Sequence, residues 1–230
     1  MLLVAAVAIA LVPLAGKTVA VDPGHDGGNA LHGAQIDRLV DAGTLRKPCD
    51  TTGTETDDGY TEAAYNLDVA LRLARILRAD GARVVLTRTT NVGWGPCITE
   101  RAAIGNRAHA DAAISIHADG GPPDGRGFHV IYPPPIPRLT DDIAAASRRL
   151  ALAIRDAFAA ATGEPYATYV GRAGLDVRSD LGGLDLSNVP KVFVETGNMR
   201  NAVDARRLES APYREREAEG LARGLVAFLR

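Results

Sequence analysis

Two histidines follow apolar segments and are each followed within a few residues by paired glycines. His25 comes after the segment at residues 18–21 and an Asp-Pro-Gly break, and His117 comes directly after residues 112–116. Both segments have the pattern of buried strands. Ligands of open α/β sheets bind beyond the carboxyl ends of the strands. An imidazole in that position could bind a metal ion or act as a general base, although either histidine alone could also be a solvated loop residue.

Two glutamates complete a possible hydrolytic site. Glu62 is expected in the first turn of a helix, and Glu195 is expected at the end of a strand over residues 191–194. For Glu62, a stabilising interaction with the helix dipole is the commoner role at this position, and a role as a metal ligand stays open because spacing alone cannot decide between them. Two imidazoles and one carboxylate would leave a tetrahedral zinc ion with one position for water, and a second carboxylate could serve as general base. The set could hydrolyse an amide, although the H-E-x-x-H helix signature is absent.

The elements that must position these residues have the pattern of a single α/β domain. The strand at residues 18–21, the helix at 61–79 and the strand at 82–86 form a βαβ unit, which implies a parallel pairing with a right-handed crossover. Residues 127–132 follow a turn too short for a crossover helix, so this strand should pair antiparallel. We expect a mixed, mostly parallel sheet of about six strands flanked by helices. The further helices are expected at residues 99–108, 141–160 and 212–229.

Two long segments without regular periodicity are expected to line the site. Residues 29–60 are polar and contain Cys49, and residues 162–188 are glycine-rich and contain the candidate substrate-contacting residues Arg178 and Ser179. Cys49 and Cys97 are the two cysteines of the chain. In an exported protein such a pair is expected to form a disulfide, the alternative being two free buried thiols. Closing a loop of about 50 residues would stabilise the fold by roughly 4 kcal/mol in the chain-entropy model.

Composition and the first residues suggest where the protein acts. The formal net charge is −2 and no basic run is present, which argues against nucleic-acid binding. Residues 2–15 are uninterruptedly apolar, and a helix of that length spans about 21 Å, too short to cross a membrane. We expect residues 1–16 to resemble a signal peptide and residues 17–230 to form the catalytic domain, with a buried N-terminal element as the alternative. Export to the periplasm, cell envelope or extracellular space, and a monomeric state, are the corresponding expectations.

Several stretches together resemble the zinc-dependent N-acetylmuramoyl-L-alanine amidases of the amidase-3 type. The matching stretches are VAVDPGHDGG, Glu62 at the helix start, VVLTR, ERAAIGNRAHADAAISIHAD and VFVETGNMRNAVD. The resemblance implies that His25, Glu62 and His117 bind one zinc ion and that Glu195 is the catalytic glutamate. Asp22 is a candidate for orienting His25, although capping of the turn is an equally good interpretation.

The resemblance also implies the substrate, namely the amide between N-acetylmuramic acid and L-alanine in peptidoglycan. Two features depart from the family pattern: the stretch after His25 is longer and contains a cysteine, and Asp119 stands where the family usually has Asn. No attached wall-binding module or site-blocking helix is evident. A zinc peptidase or carboxypeptidase acting on the stem peptide, and a non-catalytic wall-binding module, are the alternative functions.

Overall fold

A mixed sheet of six strands forms the centre of the computed structural model, which describes residues 12–230. In chain order the strands are β1 (Thr18–Pro23), β2 (Leu39–Asp41), β3 (Arg46–Pro48), β4 (Arg83–Leu86), β5 (Ala112–Asp119), β6 (His129–Tyr132), β7 (Leu175–Val177) and β8 (Lys191–Asn198). The central sheet has the order β4-β1-β5-β8-β6-β7, and β2 and β3 form a separate antiparallel hairpin. Only the β6–β8 pairing of the central sheet is antiparallel. The expected fold class is therefore confirmed, including the antiparallel strand.

Seven α-helices surround the sheet in the described part of the chain. They are α1 (Gly33–Ile36), α2 (Glu62–Ala79), α3 (Ile98–Arg107), α4 (Ala144–Thr162), α5 (Gly182–Asp185), α6 (Ala202–Leu208) and α7 (Ala211–Leu229). The larger hydrophobic core contains the buried faces of α2, α4 and α7 together with Val19 and Val21 of β1. Ala20, which lies between them on the strand, belongs to a second cluster on the other face. This alternation shows that β1 is covered on both faces.

The expected domain boundary at residue 16 lies in a turn that packs against the end of α2. Leu14 is fully buried in the main core, and its backbone N–H donates to the carbonyl of Asp80 at the end of α2. The expected boundary at residue 16 thus follows residues that already pack on the domain. Residues 1–11 of the signal-peptide-like segment lie outside the described residues. Within residues 12–230, no helix combines the length and apolarity needed to cross a membrane.

Two segments expected to be irregular contain short regular elements. Residues 29–60 include a 3-10 turn, α1 and the β2–β3 hairpin, and residues 162–188 include β7 and α5. Strands β5 and β8 also extend beyond the expected ends, to Asp119 and Asn198. His117 and Glu195 therefore lie within strands and not just past them. The physical reason is that parallel pairing between β5 and β8 continues through both residues.

The disulfide between Cys49 and Cys97 is present and joins the long loop to the start of α3. The backbone N–H of Ile98 also donates to the carbonyl of Cys49. These contacts fix Asp50, whose carboxylate lies beside His25. The expected pairing of the two cysteines is confirmed, and it connects the rim of the site to helix α3.

Replacing both cysteines by alanine is expected to lower the free energy of unfolding by up to about 4 kcal/mol. The bond spans 48 residues of sequence, so its loss returns considerable chain entropy to the unfolded state. Urea denaturation of the double variant measures the loss. The oxidised parent chain and the same chain under reductant are the controls, and an unchanged urea midpoint would contradict a stabilising disulfide.

Candidate active site

Glu62 is the first residue of α2, and the start of this helix is well defined. The preceding residue, Thr61, has an extended backbone, and its hydroxyl accepts a hydrogen bond from the backbone N–H of Ala64. This cap places the buried Glu62 carboxylate at the edge of the sheet. The backbone N–H of Thr54 donates to Oε2 of Glu62 at 3.0 Å, which orients the carboxylate.

The Glu62 carboxylate brings the two histidines together. Its Oε1 atom lies 3.2 Å from Nε2 of His25 and 2.9 Å from Nδ1 of His117. One ligand atom from each of the three residues lies within 4.8 Å of the others. Ligands of a tetrahedral zinc ion are about 3.4 Å apart when each bond is about 2.1 Å. The three side chains therefore fit a small divalent cation such as zinc.

The outer nitrogen of each histidine also has a partner, as is usual for metal-binding imidazoles. Nδ1 of His25 lies 2.9 Å from the carbonyl oxygen of Thr51, and a donated hydrogen bond there leaves Nε2 free to face Glu62. Nε2 of His117 lies 3.3 Å from the Ser115 hydroxyl. His25 has a left-handed backbone with φ of +55°, a conformation that costs energy outside glycine and that clusters at functional sites.

Charges within this cluster stabilise one another. Burial disfavours the charged form of His25, but the neighbouring carboxylates of Glu62 and Asp50 outweigh it and raise the pKa of His25 to about 10. Burial likewise opposes ionisation of Glu62, and the two histidines outweigh it and hold the pKa of Glu62 well below its usual range. Glu62 is therefore a carboxylate at neutral pH, the form that binds a cation.

Glu195 lies directly opposite His117 in the β5–β8 register. Burial, together with the negative charges of Glu62 and Asp119, raises the pKa of Glu195 well above its usual range. Its Oε2 atom is buried and has no hydrogen-bond partner among the described residues. Glu195 and the three candidate ligands line a cleft of about 350 Å³. A carboxyl group of this kind can exchange a proton with a molecule in the cleft.

A glycine is required directly behind His117. A Cβ atom on Gly24 would lie 2.1 Å from Cε1 of the His117 imidazole. Gly24, which directly follows β1, therefore allows the backbone to approach the second histidine.

Gly24→Ala is expected to displace the imidazole of His117 and to abolish stable zinc binding. The cause is the overlap of the new methyl group with the ring. Zinc content after dialysis, measured by mass spectrometry, reports the loss. Gly33→Ala is the matched control, since a Cβ there would meet nothing closer than 3.7 Å. Equal zinc content in the two variants would contradict the expectation.

The N-acetylmuramoyl-L-alanine amidase family matches residues 19–227 of the chain. The chain belongs to this family. It is 43% identical over 217 residues to the N-acetylmuramoyl-L-alanine amidase Rv3717 of Mycobacterium tuberculosis, covering 94% of this chain and 88% of that protein. It is 30% identical to the amidase LytC of Bacillus subtilis, covering 95% of this chain and 36% of LytC.

Solved structures of amidases have the same fold. The crystal structure of Ami1 from Mycobacterium smegmatis superimposes with a TM-score of 0.88 at 44% identity, covering 94% of this chain and 98% of that one. The apo form of Ami1 from Mycobacterium abscessus gives a TM-score of 0.87 at 42% identity, with 94% and 100% coverage. The family resemblance drawn from the sequence motifs is thus confirmed.

Among the described residues of this amidase, Asp22 makes no direct hydrogen bond to the His25 side chain. Its carboxylate instead accepts hydrogen bonds from Thr87, Ser115 and Arg101, and it forms a buried ion pair with Lys191. Burial would raise the pKa of Asp22, but the charges of Lys191 and Arg101 outweigh it and hold the pKa far below its usual range. Because Ser115 also contacts His117, Asp22 is linked to the second histidine through the Ser115 hydroxyl.

Arg101 connects the ion pair of Asp22 with the first histidine. Its buried guanidinium donates to Asp22, to Asp50 and to the backbone carbonyl of His25. Asp50 in turn lies 3.5 Å from Nδ1 of His25. These contacts show how Arg101 holds the loop that carries His25.

The two candidate rim residues differ in their surroundings. Arg178 lines the cleft and forms two hydrogen bonds with the Asp180 carboxylate, at 2.8 and 2.7 Å. Ser179 is exposed, its backbone carbonyl accepts a hydrogen bond from Thr44, and it is not among the residues that line the cleft. His129 is buried and lies opposite Glu195 in the β6–β8 register, and its Nδ1 atom has no hydrogen-bond partner among the described residues.

Proposed function

We propose that this chain is a zinc-dependent hydrolase that cleaves the amide bond between N-acetylmuramic acid and L-alanine in peptidoglycan. The observation that carries the proposal is the convergence of His25, Glu62 and His117 within 4.8 Å, with Glu195 opposite His117. Membership of the amidase family supports the choice of bond.

His25, Glu62 and His117 would hold one zinc ion through Nε2, a carboxylate oxygen and Nδ1. When bound, the zinc supplies Lewis-acid chemistry, which polarises a carbonyl group and lowers the pKa of a water molecule. The protein keeps its ligand atoms in place through Thr51, which contacts His25, and Ser115, which contacts His117.

Glu195 acts as the general base and then as the general acid. Its buried, unpartnered Oε2 atom takes a proton from the attacking water and later gives one to the leaving amine of L-alanine. The raised pKa of Glu195 suits the second step, because the protonated carboxyl group must persist long enough to donate.

Arg178 and Ser179 would contact the substrate at the rim of the cleft. The Arg178 guanidinium offers a positive charge to the carboxylates of a stem peptide. Because Asp180 already occupies one side of the guanidinium, only part of that attraction remains for the substrate.

Arg178→Gln is expected to raise KM by about 10-fold, the lower end of the cost of losing a charged hydrogen bond. Steady-state kinetics on soluble muropeptides measures the change. Arg172→Gln is the matched control, because Arg172 is exposed on the same segment and is not among the cleft-lining residues. An unchanged KM in Arg178→Gln would contradict the role, and Ser179→Ala tests the weaker candidate in the same assay.

Digestion of purified peptidoglycan tests the proposed function. The products expected by mass spectrometry are intact stem peptides and peptide-free glycan chains, and their release should stop with a chelator and return with zinc. Shortened stem peptides on intact glycan would favour the zinc peptidase or carboxypeptidase. Binding to the wall without any product would favour the non-catalytic module.

The remaining proposals concern location and assembly. An apolar segment at residues 2–15 supports export to the periplasm, cell envelope or extracellular space, where peptidoglycan lies. The disulfide agrees with an oxidising compartment. The proposed monomer is tested by light scattering of the purified protein.

A further inference from the structure

A buried hydroxyl junction joins the three elements that carry Glu62, His117 and Glu195. The Tyr65 hydroxyl, one turn after Glu62 on α2, lies 2.6 Å from the hydroxyl of Thr196. Thr196 directly follows Glu195 on β8, and its hydroxyl donates to the backbone carbonyl of His117 on β5 at 3.1 Å. Helix α2 and strands β5 and β8 thus meet at two neighbouring oxygen atoms.

The junction lies where the sheet itself is irregular. His117 pairs with Glu195, but the register between β5 and β8 shifts before Asp119 pairs with Asn198. A register shift disrupts the backbone hydrogen bonds of a sheet locally. The side chain of Thr196 supplies a hydrogen bond to the His117 carbonyl at this point, so the spacing of the two strands there depends on a side chain.

Glu217 is a third member of the junction, and the number of protons available for its hydrogen bonds bears on its protonation. The Tyr65 hydroxyl also lies 2.8 Å from Oε2 of Glu217 on α7. Three contacts, from Glu217 to Tyr65, from Tyr65 to Thr196 and from Thr196 to the His117 carbonyl, require three protons. Tyr65 and Thr196 carry one hydroxyl proton each, so all three contacts are hydrogen bonds at the same time only when the Glu217 carboxyl group carries the third proton.

The environment of Glu217 agrees with this count. Tyr65, Thr196 and Glu217 are all 0% exposed. Burial raises the pKa of Glu217 well above its usual range, and burial together with Glu217 does the same for the pKa of Tyr65. The raised pKa of each group favours its neutral form, which permits hydrogen bonds that all run in one direction along the chain.

We propose that Glu217, Tyr65 and Thr196 form a positioning chain that sets the distance of His117 and Glu195 from Glu62. None of the three lines the cleft, so each acts on the reaction only through the ligands and Glu195. The inference rests on the proposed zinc-dependent function of the site. It assigns a role to a buried acid, a buried phenol and a buried hydroxyl that the hydrolytic reaction does not itself use.

Substitutions at Thr196 separate the hydroxyl from the packing. Thr196→Val keeps the shape and removes the hydroxyl, whereas Thr196→Ser keeps the hydroxyl. We expect Thr196→Val to lose about 10–100-fold in zinc affinity and in kcat with KM little changed, as on loss of other outer partners of metal ligands. Thr196→Ser is expected to remain close to the parent chain. Competition with a chromogenic chelator measures zinc affinity without substrate. This measurement therefore tests the positioning chain even if the proposed reaction is wrong.

Thr140→Val controls for the loss of a buried hydroxyl elsewhere. Thr140 is also 0% exposed, and its hydroxyl bonds to the Pro134 carbonyl, away from the site. If Thr196 has only a structural role, Thr196→Val and Thr140→Val should lower Tm by similar amounts and leave zinc affinity and kcat unchanged. That result would overturn the proposal. If Thr196→Val does not fold, Tyr65→Phe provides the same comparison with one oxygen removed.

The protonated state of Glu217 has its own measurement. The infrared difference spectrum between the parent chain and Glu217→Gln at pH 7 should contain the carbonyl band of a neutral carboxylic acid. The amide group introduced by Glu217→Gln can still donate to Tyr65, so this variant should retain its zinc affinity, whereas Glu217→Leu should have a reduced affinity. A carboxylate band in place of the acid band would overturn the proton assignment.

Discussion

The Glu195→Gln variant is expected to bind zinc as the parent chain does and to lose about 10²–10⁴ in kcat, the usual contribution of a general acid–base residue. Glutamine keeps the size of the side chain and its place opposite His117, but it cannot take a proton from water. Release of stem peptides from purified peptidoglycan gives kcat, and metal analysis of the same sample gives the zinc content.

Two comparisons make this result specific. Glu195→Asp retains a carboxylate that is one methylene shorter, and an activity between those of the parent and Glu195→Gln would show that both charge and reach matter. Equal Tm values for the variants exclude unfolding as the cause. Parent-like activity in Glu195→Gln would rule out the role of Glu195 as general base.

The candidate site was largely predictable because its residues follow simple local patterns. His25 and His117 each follow a buried segment, and Glu62 follows a threonine that caps its helix. Parallel strands bring their carboxyl ends to one edge of a sheet, so strand order alone places such residues together. The convergence of the three ligand atoms within 4.8 Å agrees with that expectation.

The partners of these residues were less predictable, because they depend on distant contacts. Asp22 was one candidate for orienting His25, yet its carboxylate bonds to Ser115 and Arg101, 93 and 79 residues away. The contact between Ser115 and His117 could have been predicted, since residues two apart on a strand share a face and Ser115 precedes His117 by two. No local sequence pattern predicted the contact of Asp50 with His25, because the place of Asp50 depends on a loop held by the disulfide.

The short elements escaped prediction for a related reason. Strand β7 has three residues within a glycine-rich segment, and it exists because β6, more than 40 residues earlier, offers an edge for pairing. Helix α5 and the β2–β3 hairpin are of similar length. Elements of one turn or three residues have no measurable periodicity, so only the long helices and buried strands could be predicted from the chain itself.

Glu62→Gln is expected to lose bound zinc and, with it, all measurable amidase activity. The amide removes the negative charge that faces both His25 and His117. The two imidazoles that remain bind zinc more weakly than the full set of three ligands. The loss of zinc affinity should exceed the factor of about 10–100 that follows removal of an outer partner. Chelator competition measures the affinity, and the peptidoglycan digest measures the activity at saturating zinc.

Glu100→Gln separates this role from helix stabilisation. Glu100 is also an acid in the first turn of a helix, α3, but it is exposed and pairs with Arg107 on the surface. If Glu62 only stabilised the helix dipole, Glu62→Gln and Glu100→Gln would each lower the free energy of unfolding by roughly 0.3–1 kcal/mol, and neither would lose zinc. Because Glu62 is buried between two histidines, we expect the zinc loss in Glu62→Gln alone, and equal zinc affinity in the two variants would remove Glu62 from the metal site.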